Sequence, residues 1–167
     1  MSTGAHAYLV ERAGHWLRGA RKCAVVATEK PVWYLPVIPD AMGWTRDGYS
    51  IHIECKVSFE DFKNDRYKPG VGDGIKLGDE RWYLALPGVL KASDMPEGVG
   101  LLEVQKKSLR KVVPAKRAPR PLADRAEAII VLQIAWHAVR GHLGRPGKVC
   151  RITAHERPED AEEQRVA

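Results

Sequence analysis

Nine residues near the middle of the chain, Ser50 to Ser58, run Ser-Ile-His-Ile-Glu-Cys-Lys-Val-Ser. Their strict alternation of apolar and polar side chains dictates a strand with two unlike faces. Ile51, Ile53, Cys55 and Val57 form the apolar face, which must press on a core. Ser50, His52, Glu54, Lys56 and Ser58 form the other, so a carboxylate and an ammonium two residues apart project side by side. Upstream, Pro39-Asp40 closes another apolar run, Val37-Ile38, and can set a second carboxylate at the end of a neighbouring strand. An Asp followed by Glu-x-Lys supplies what metal-assisted phosphodiester hydrolysis needs. Two hard oxygen ligands can hold a divalent cation, and a nearby ammonium can orient the attacking water. The alternative reading of Glu54 and Lys56 is a solvated same-face ion pair, which contributes little.

The 167 residues fit one domain with a core that needs no staples. Charge is unevenly spread over the net +6. From Glu156 onward five acids face two bases, which leaves residues 1–155 with about +9. Such a body attracts polyanions. Three widely spaced cysteines without a Cys-x-x-Cys pair argue against a disulfide framework or zinc site and for a reducing cytosol. The N-terminus lacks a signal-peptide pattern, and no apolar run exceeds the length of Ala128–Leu132, too short to span a bilayer. A soluble intracellular protein with no membrane partner is the expectation.

Taken in order, residues 5–20 read as a helix through Leu9, Val10, Ala13, Trp16, Leu17 and Ala20, with Ser2 and Thr3 as caps and Glu11 roughly opposite that stripe. Cys23–Thr28 and Val32–Ile38 read as strands, and Met42-Gly43-Trp44 with Asp47-Gly48 as the turn into the strand beginning at Ser50. Ser58 caps a short helix, Phe59–Arg66, with Asp61 completing a capping-box-like start and amides that could face phosphate. Lys63, Arg66 and Lys68 make that segment basic. Gly70–Gly78 reads as a flap or hairpin connection, since it lacks the ending of a nucleotide P-loop. Arg81–Leu86 and Gly100–Gln105 read as further strands.

Between Lys106 and Arg120 stand seven bases and no acid: Lys106, Lys107, Arg110, Lys111, Lys116, Arg117 and Arg120. This reads as a basic linker suited to phosphate backbones. Pro121 then opens a helix within 121–144 that packs on the core or supplies a homodimer face. Residues 145–167 read as an extended, partly disordered tail.

Helix, three strands, helix, strand, with acids at the second and third strands, resembles the PD-(D/E)xK nuclease superfamily. The matching residues are Pro39-Asp40 and, fourteen residues on, Glu54-Cys55-Lys56. The chain is most similar to MmcB-like DNA-repair nucleases and related phage proteins. It shares with them Trp16-Leu17, Glu54-Cys55-Lys56-Val57-Ser58, Asp61-Phe62, Tyr83-Leu84-Ala85-Leu86-Pro87 and Pro96–Val104. The likeness covers about residues 6–105. It departs at Phe59, where that family carries an arginine, and at Val99, where tryptophan is common.

The resemblance implies an α/β, restriction-endonuclease-like αβββαβ core with a central mixed sheet over residues 1–105, plus the C-terminal helix. It implies Asp40 and Glu54 as ligands of Mg²⁺ or Mn²⁺, helped by the Cys55 backbone carbonyl. Lys56 would position water and stabilise charge on the phosphate. Glu11 is the candidate for an additional acid from the first helix, and Gln105 for an accessory polar group. Ser58, Lys63, Arg66, Lys68, Lys106, Lys107, Arg110, Lys111, Lys116 and Arg117 are the candidate DNA contacts. The implied activity is endonucleolytic cutting of DNA in repair, recombination or phage DNA metabolism, in the cytoplasm of a bacterial cell or phage-infected host. A nuclease-fold adaptor or inhibitor that binds DNA or protein without cutting is the alternative.

Overall fold

The computed structural model describes residues 4–29, 38–65 and 77–119. All belong to one unit, Met1–Trp136. The expected helix at 121–144 with its dimer face, the expected tail from 145, and residues 66–76, with Arg66, Lys68 and most of the expected flap, lie outside the described residues.

Helix α1 runs from Gly4 to Gly19 and buries Leu9, Val10, Ala13 and Leu17. These recur every three or four residues, the spacing that lines one face of a helix. Among the described residues six strands form one mixed sheet in sequence order: β1 (Val25–Thr28), β2 (Ala41–Trp44), β3 (Ser50–Lys56), β4 (Glu80–Ala85), β5 (Gly100–Val104) and β6 (Leu109–Val113). Strands β3, β4 and β5 are mutually parallel, while β1/β2, β2/β3 and β5/β6 pair antiparallel. The parallel step from β3 to β4 contains the short helix α2 (Phe59–Asp65). Through β4 the order is helix, three strands, helix, strand.

The alternation of β4 and β5 splits the core in two. Ile51, Ile53 and Cys55 pack against the α1 stripe together with Trp82, Leu84, Leu102 and Val104. On the opposite face Phe62 of α2 meets Tyr83, Ala85, Leu90, Val99 and Leu101, and the Phe62 and Tyr83 rings contact edge to face at 5.0 Å. Phe62 and Leu101 are almost fully buried, and each such side chain contributes about 1.5–3 kcal/mol by leaving water.

Two elements differ from the sequence expectation. The strand beside β3 is Ala41–Trp44, following Asp40, whereas Met42–Trp44 reads as part of a turn from sequence and the expected strand Val32–Ile38 lies, up to Val37, outside the described residues. Gly43 caused the misreading, because it serves close packing and not chain reversal. A Cβ there would stand 2.7 Å from Cys23 Sγ and 3.0 Å from Leu17 Cδ2, so only glycine lets the end of α1 close on β2. The reversal comes at Thr45–Tyr49, where Gly48 takes φ 81° and Thr45 N–H donates to the Tyr49 carbonyl.

The second difference is β6, which occupies the stretch read as a basic linker. Leu109, Val112 and Val113 are half-buried while Arg110 and Lys111 stay exposed. The bases mask the apolar residues in composition, and cationic side chains are a common protection for an edge strand. Beyond β6, Lys116 N–H donates to the Gly98 carbonyl and Ala118 N–H to the Asp79 carbonyl.

A buried carboxylate fastens this segment. Glu80, 5% exposed at the start of β4, accepts from Arg21 Nη2 at 2.7 and 2.6 Å and from Arg117 Nε at 2.8 Å. The end of α1, the first residue of β4 and the segment after β6 therefore share one charged knot. Among the described residues no helix is long and apolar enough to cross a membrane.

Candidate active site

Antiparallel register builds the site. Ala41 pairs with Ile53, so Asp40, one residue earlier, falls beside Glu54 and Cys55. The Cys55 backbone N–H donates to Asp40 Oδ2 at 2.7 Å and fixes that carboxylate against the end of β3. Lys56 shares the face of Glu54, its Nζ 3.8 Å from Glu54 Oε2 and its side chain only 3% exposed. Asp40, Glu54 and Lys56 thus come together, as read from sequence.

Two histidines complete the cluster. His52, one pleat before Glu54 on the same face, places Nε2 2.8 Å from Glu54 Oε1. His6 places Nε2 3.3 Å from Asp40 Oδ1 and 3.8 Å from Glu29 Oε1. His6 lies one turn before Leu9 and Val10 and continues their stripe past the end of the sheet, where a polar side chain meets the carboxylates. That continuation was a usable signal in the sequence. His52 stands in the polar half of the β3 alternation, which carried the same information.

Charge is crowded here. Burial, and then the negative charge of Glu54, push the Asp40 carboxyl up to about 6, against the lowering effects of the Cys55 amide, His6 and Lys56. Burial, with Asp40 and Glu54 adding to it, raises the Cys55 thiol far above its ordinary value. That side chain is therefore a core residue and not a nucleophile. The oxygens of Asp40 and Glu54, with the Cys55 carbonyl, are donors of the kind that suit a hard divalent cation. Among the described residues no group of three or more His, Cys, Asp and Glu side chains is arranged to hold a metal ion.

The other candidates are dispersed. Glu11 is exposed and sits about 140° around α1 from His6, so the helix reaches the cluster through the histidine. Gln105 lies past the end of β5, two strand spacings or about 10 Å from β3, and its N–H and Oε1 close the β5–β6 turn with Ser108. Ser58 Oγ accepts from the Asp61 N–H at 3.1 Å, and the Ser58 carbonyl accepts from Phe62 N–H. Capping thus occupies the start of α2 that reads as phosphate-facing from sequence.

Lys63 lies 3.9 Å from Glu60 and over the exposed Phe59 ring at 5.1 Å. Lys106, Lys107 and Lys111 are exposed, Arg110 contacts Glu103 at 2.7 Å and Lys116 contacts Glu97 at 3.0 Å. Arg117 is held by Glu80 and lies 4.1 Å from the centre of the Tyr49 ring, a fastening role not anticipated for it.

No family model matches the chain, and no curated protein matches it. Among solved structures it is similar to a protein of unknown function from Silicibacter pomeroyi, with a TM-score of 0.62 and 22% identity over 91% of this chain and 99% of that one. The likeness is one of fold. The chain is a mixed α/β protein whose described residues form a six-stranded mixed sheet, with two carboxylates, two histidines and a buried lysine gathered where β2 begins and β3 ends.

Proposed function

We propose that this protein is a Mg²⁺- or Mn²⁺-dependent endonuclease of the PD-(D/E)xK type that hydrolyses phosphodiester bonds in DNA. The observation that carries the reading is the meeting of Asp40, just before β2, and Glu54 of β3, with the buried ammonium of Lys56 beside them. A structural ion pair would match one carboxylate to one cation. Here two carboxylates share a confined space, and burial, with the charge of Glu54 adding to it, pushes the Asp40 carboxyl up to about 6. A divalent cation relieves the repulsion between them.

Asp40 and Glu54 would hold the cation, with the Cys55 carbonyl as a third donor. Bound Mg²⁺ or Mn²⁺ supplies an activated water and neutralises charge on the phosphate. Lys56, enclosed and close to Glu54, would orient the attacking water by hydrogen bonding and hold positive charge toward the phosphate oxygens. His52 fixes the rotamer of Glu54, and His6 that of Asp40. The basic residues of the β5–β6 region attract the backbone of the substrate.

Supercoiled plasmid and single-stranded DNA, each incubated with Mg²⁺ or Mn²⁺, test the proposal. Cutting by the wild type that falls at least about 100-fold in both Asp40→Asn and Lys56→Ala supports it. Activity that survives both changes refutes it. Two observations favour the second reading, a binding protein that does not cut. Both carboxylates already meet histidines, and the position of the family's arginine holds Phe59, 43% exposed and stacked on Phe62. Binding of DNA with no cutting in either metal would select that reading.

A further inference from the structure

A groove of about 800 Å³ opens at the same end of the sheet as the carboxylates, lined by Tyr8, Pro87 and the run Glu103–Ser108. Register fixes its position. Lys56 pairs with Ala85 and Ala85 with Glu103, so the groove starts two strand spacings, roughly 10 Å, from Lys56. One wall is the first turns of α1 and the other is the β5–β6 turn. Arg12 braces the two, its Nη2 donating to the Ser108 carbonyl at 2.9 Å while its guanidinium lies 5.9 Å from the centre of the Tyr8 ring.

The lining has a definite chemistry. Tyr8 is a large aromatic side chain, 40% exposed, with the Arg12 guanidinium over one side of its ring. Lys106 and Lys107 stand exposed on the opposite wall. The one acid of the lining, Glu103, is neutralised by Arg110 at 2.7 Å and accepts the Gly88 N–H at 3.2 Å. An aromatic platform facing a cationic rim suits neither an apolar peptide nor a duplex, whose bases are stacked away. It suits unpaired nucleotides, whose bases stack on the ring while their phosphates meet the lysines. The volume falls in the ~300–1,000 Å³ range of small-ligand sites, room for one or two nucleotides.

We infer that this groove binds single-stranded DNA flanking the scissile phosphate, with Tyr8 stacking on a base and Lys106 and Lys107 holding the backbone. The inference rests on the nuclease reading for what happens to the strand, but its binding step needs no metal. The substrate would therefore be DNA with an unpaired segment beside the cut.

Fluorescence anisotropy with labelled oligo(dT) of twelve nucleotides, in EDTA, tests it against a duplex of equal length. The expected result is single-strand binding at least tenfold tighter than duplex binding. Tyr8→Ala should weaken it roughly tenfold and Tyr8→Phe should leave it intact. Lys106→Glu with Lys107→Glu should flatten the dependence of log Kd on log salt by about 1.4. Photo-crosslinking of a 5-iododeoxyuridine oligonucleotide should label the peptide containing Tyr8.

Unchanged affinity in Tyr8→Ala, duplex binding as tight as single-strand binding, or a groove closed to the crosslinker by another part of this chain or a second copy overturns the inference. Failure of the nuclease reading looks different. Tyr8-dependent binding would persist in EDTA while neither metal supported cutting.

Discussion

Burial and the charge of Glu54 keep the Asp40 carboxyl protonated up to about pH 6. Asparagine keeps the shape and the acceptor for the Cys55 amide but removes the charge. Asp40→Asn should therefore stabilise the metal-free protein at neutral pH. The sign follows from proton binding. A carboxyl whose pKa rises from 3.8 unfolded to about 6 folded binds more protons in the folded state between those values. Stability falls as pH climbs through that window, by about 1.4 kcal/mol per pH unit, and is flat on either side. The carboxylate costs about 3 kcal/mol at pH 7 and close to nothing at pH 4.

For a chain of 167 residues that is a rise in Tm of roughly 6–12 °C in Asp40→Asn at pH 7. Thermal melts in EDTA, followed by far-ultraviolet circular dichroism at pH 4 and pH 7, read the difference directly. Adding Mg²⁺ should raise the Tm of the wild type and leave the variant unmoved. A variant less stable than the wild type at pH 7, or a gain of equal size at both pH values, would refute the reasoning.

Other consequences follow from the packing. Glu80→Ala strips the shared carboxylate from Arg21 and Arg117 and should lower stability by about 3–5 kcal/mol in urea titrations, with Glu80→Gln losing less. Gly43→Ala should cost about 1–3 kcal/mol by overpacking, and Cys23→Ala in the same chain should recover part of it by removing the sulfur 2.7 Å from the new methyl. Phe62→Ala empties a site 2% exposed beneath α2 and should cost about 3–5 kcal/mol in the same titration.

Much of the site was legible in the residues because a strand's period of two leaves no freedom in which side chains share a face. Ser50–Ser58 therefore disclosed that Glu54 and Lys56 project together, and with them His52. Asp40 was legible as a partner but its strand was not. Its position depends on pairing between Ala41–Trp44 and β3, and Gly43 gives no local sign that its missing side chain makes room for Leu17 and Cys23. Strand β6 was hidden because seven bases over Lys106–Arg120 dominate the composition around its three apolar residues, whose burial depends on pairing with β5. The knot at Glu80 joins residues 59 and 37 positions away, a distance over which local pattern carries no information. His6 lay between: on the buried stripe, but with a role set by where the sheet ends.

The central claim, that Asp40 and Glu54 together grip one divalent cation beside Lys56, is tested most directly by electron paramagnetic resonance. Titrating Mn²⁺ into the purified protein and following the loss of the free-ion signal counts bound ions and ranks their affinity. The account predicts one site per chain, displaced by Mg²⁺ and weakened at least tenfold by either Asp40→Asn or Glu54→Gln. No uptake of Mn²⁺, or uptake indifferent to both substitutions, would contradict it.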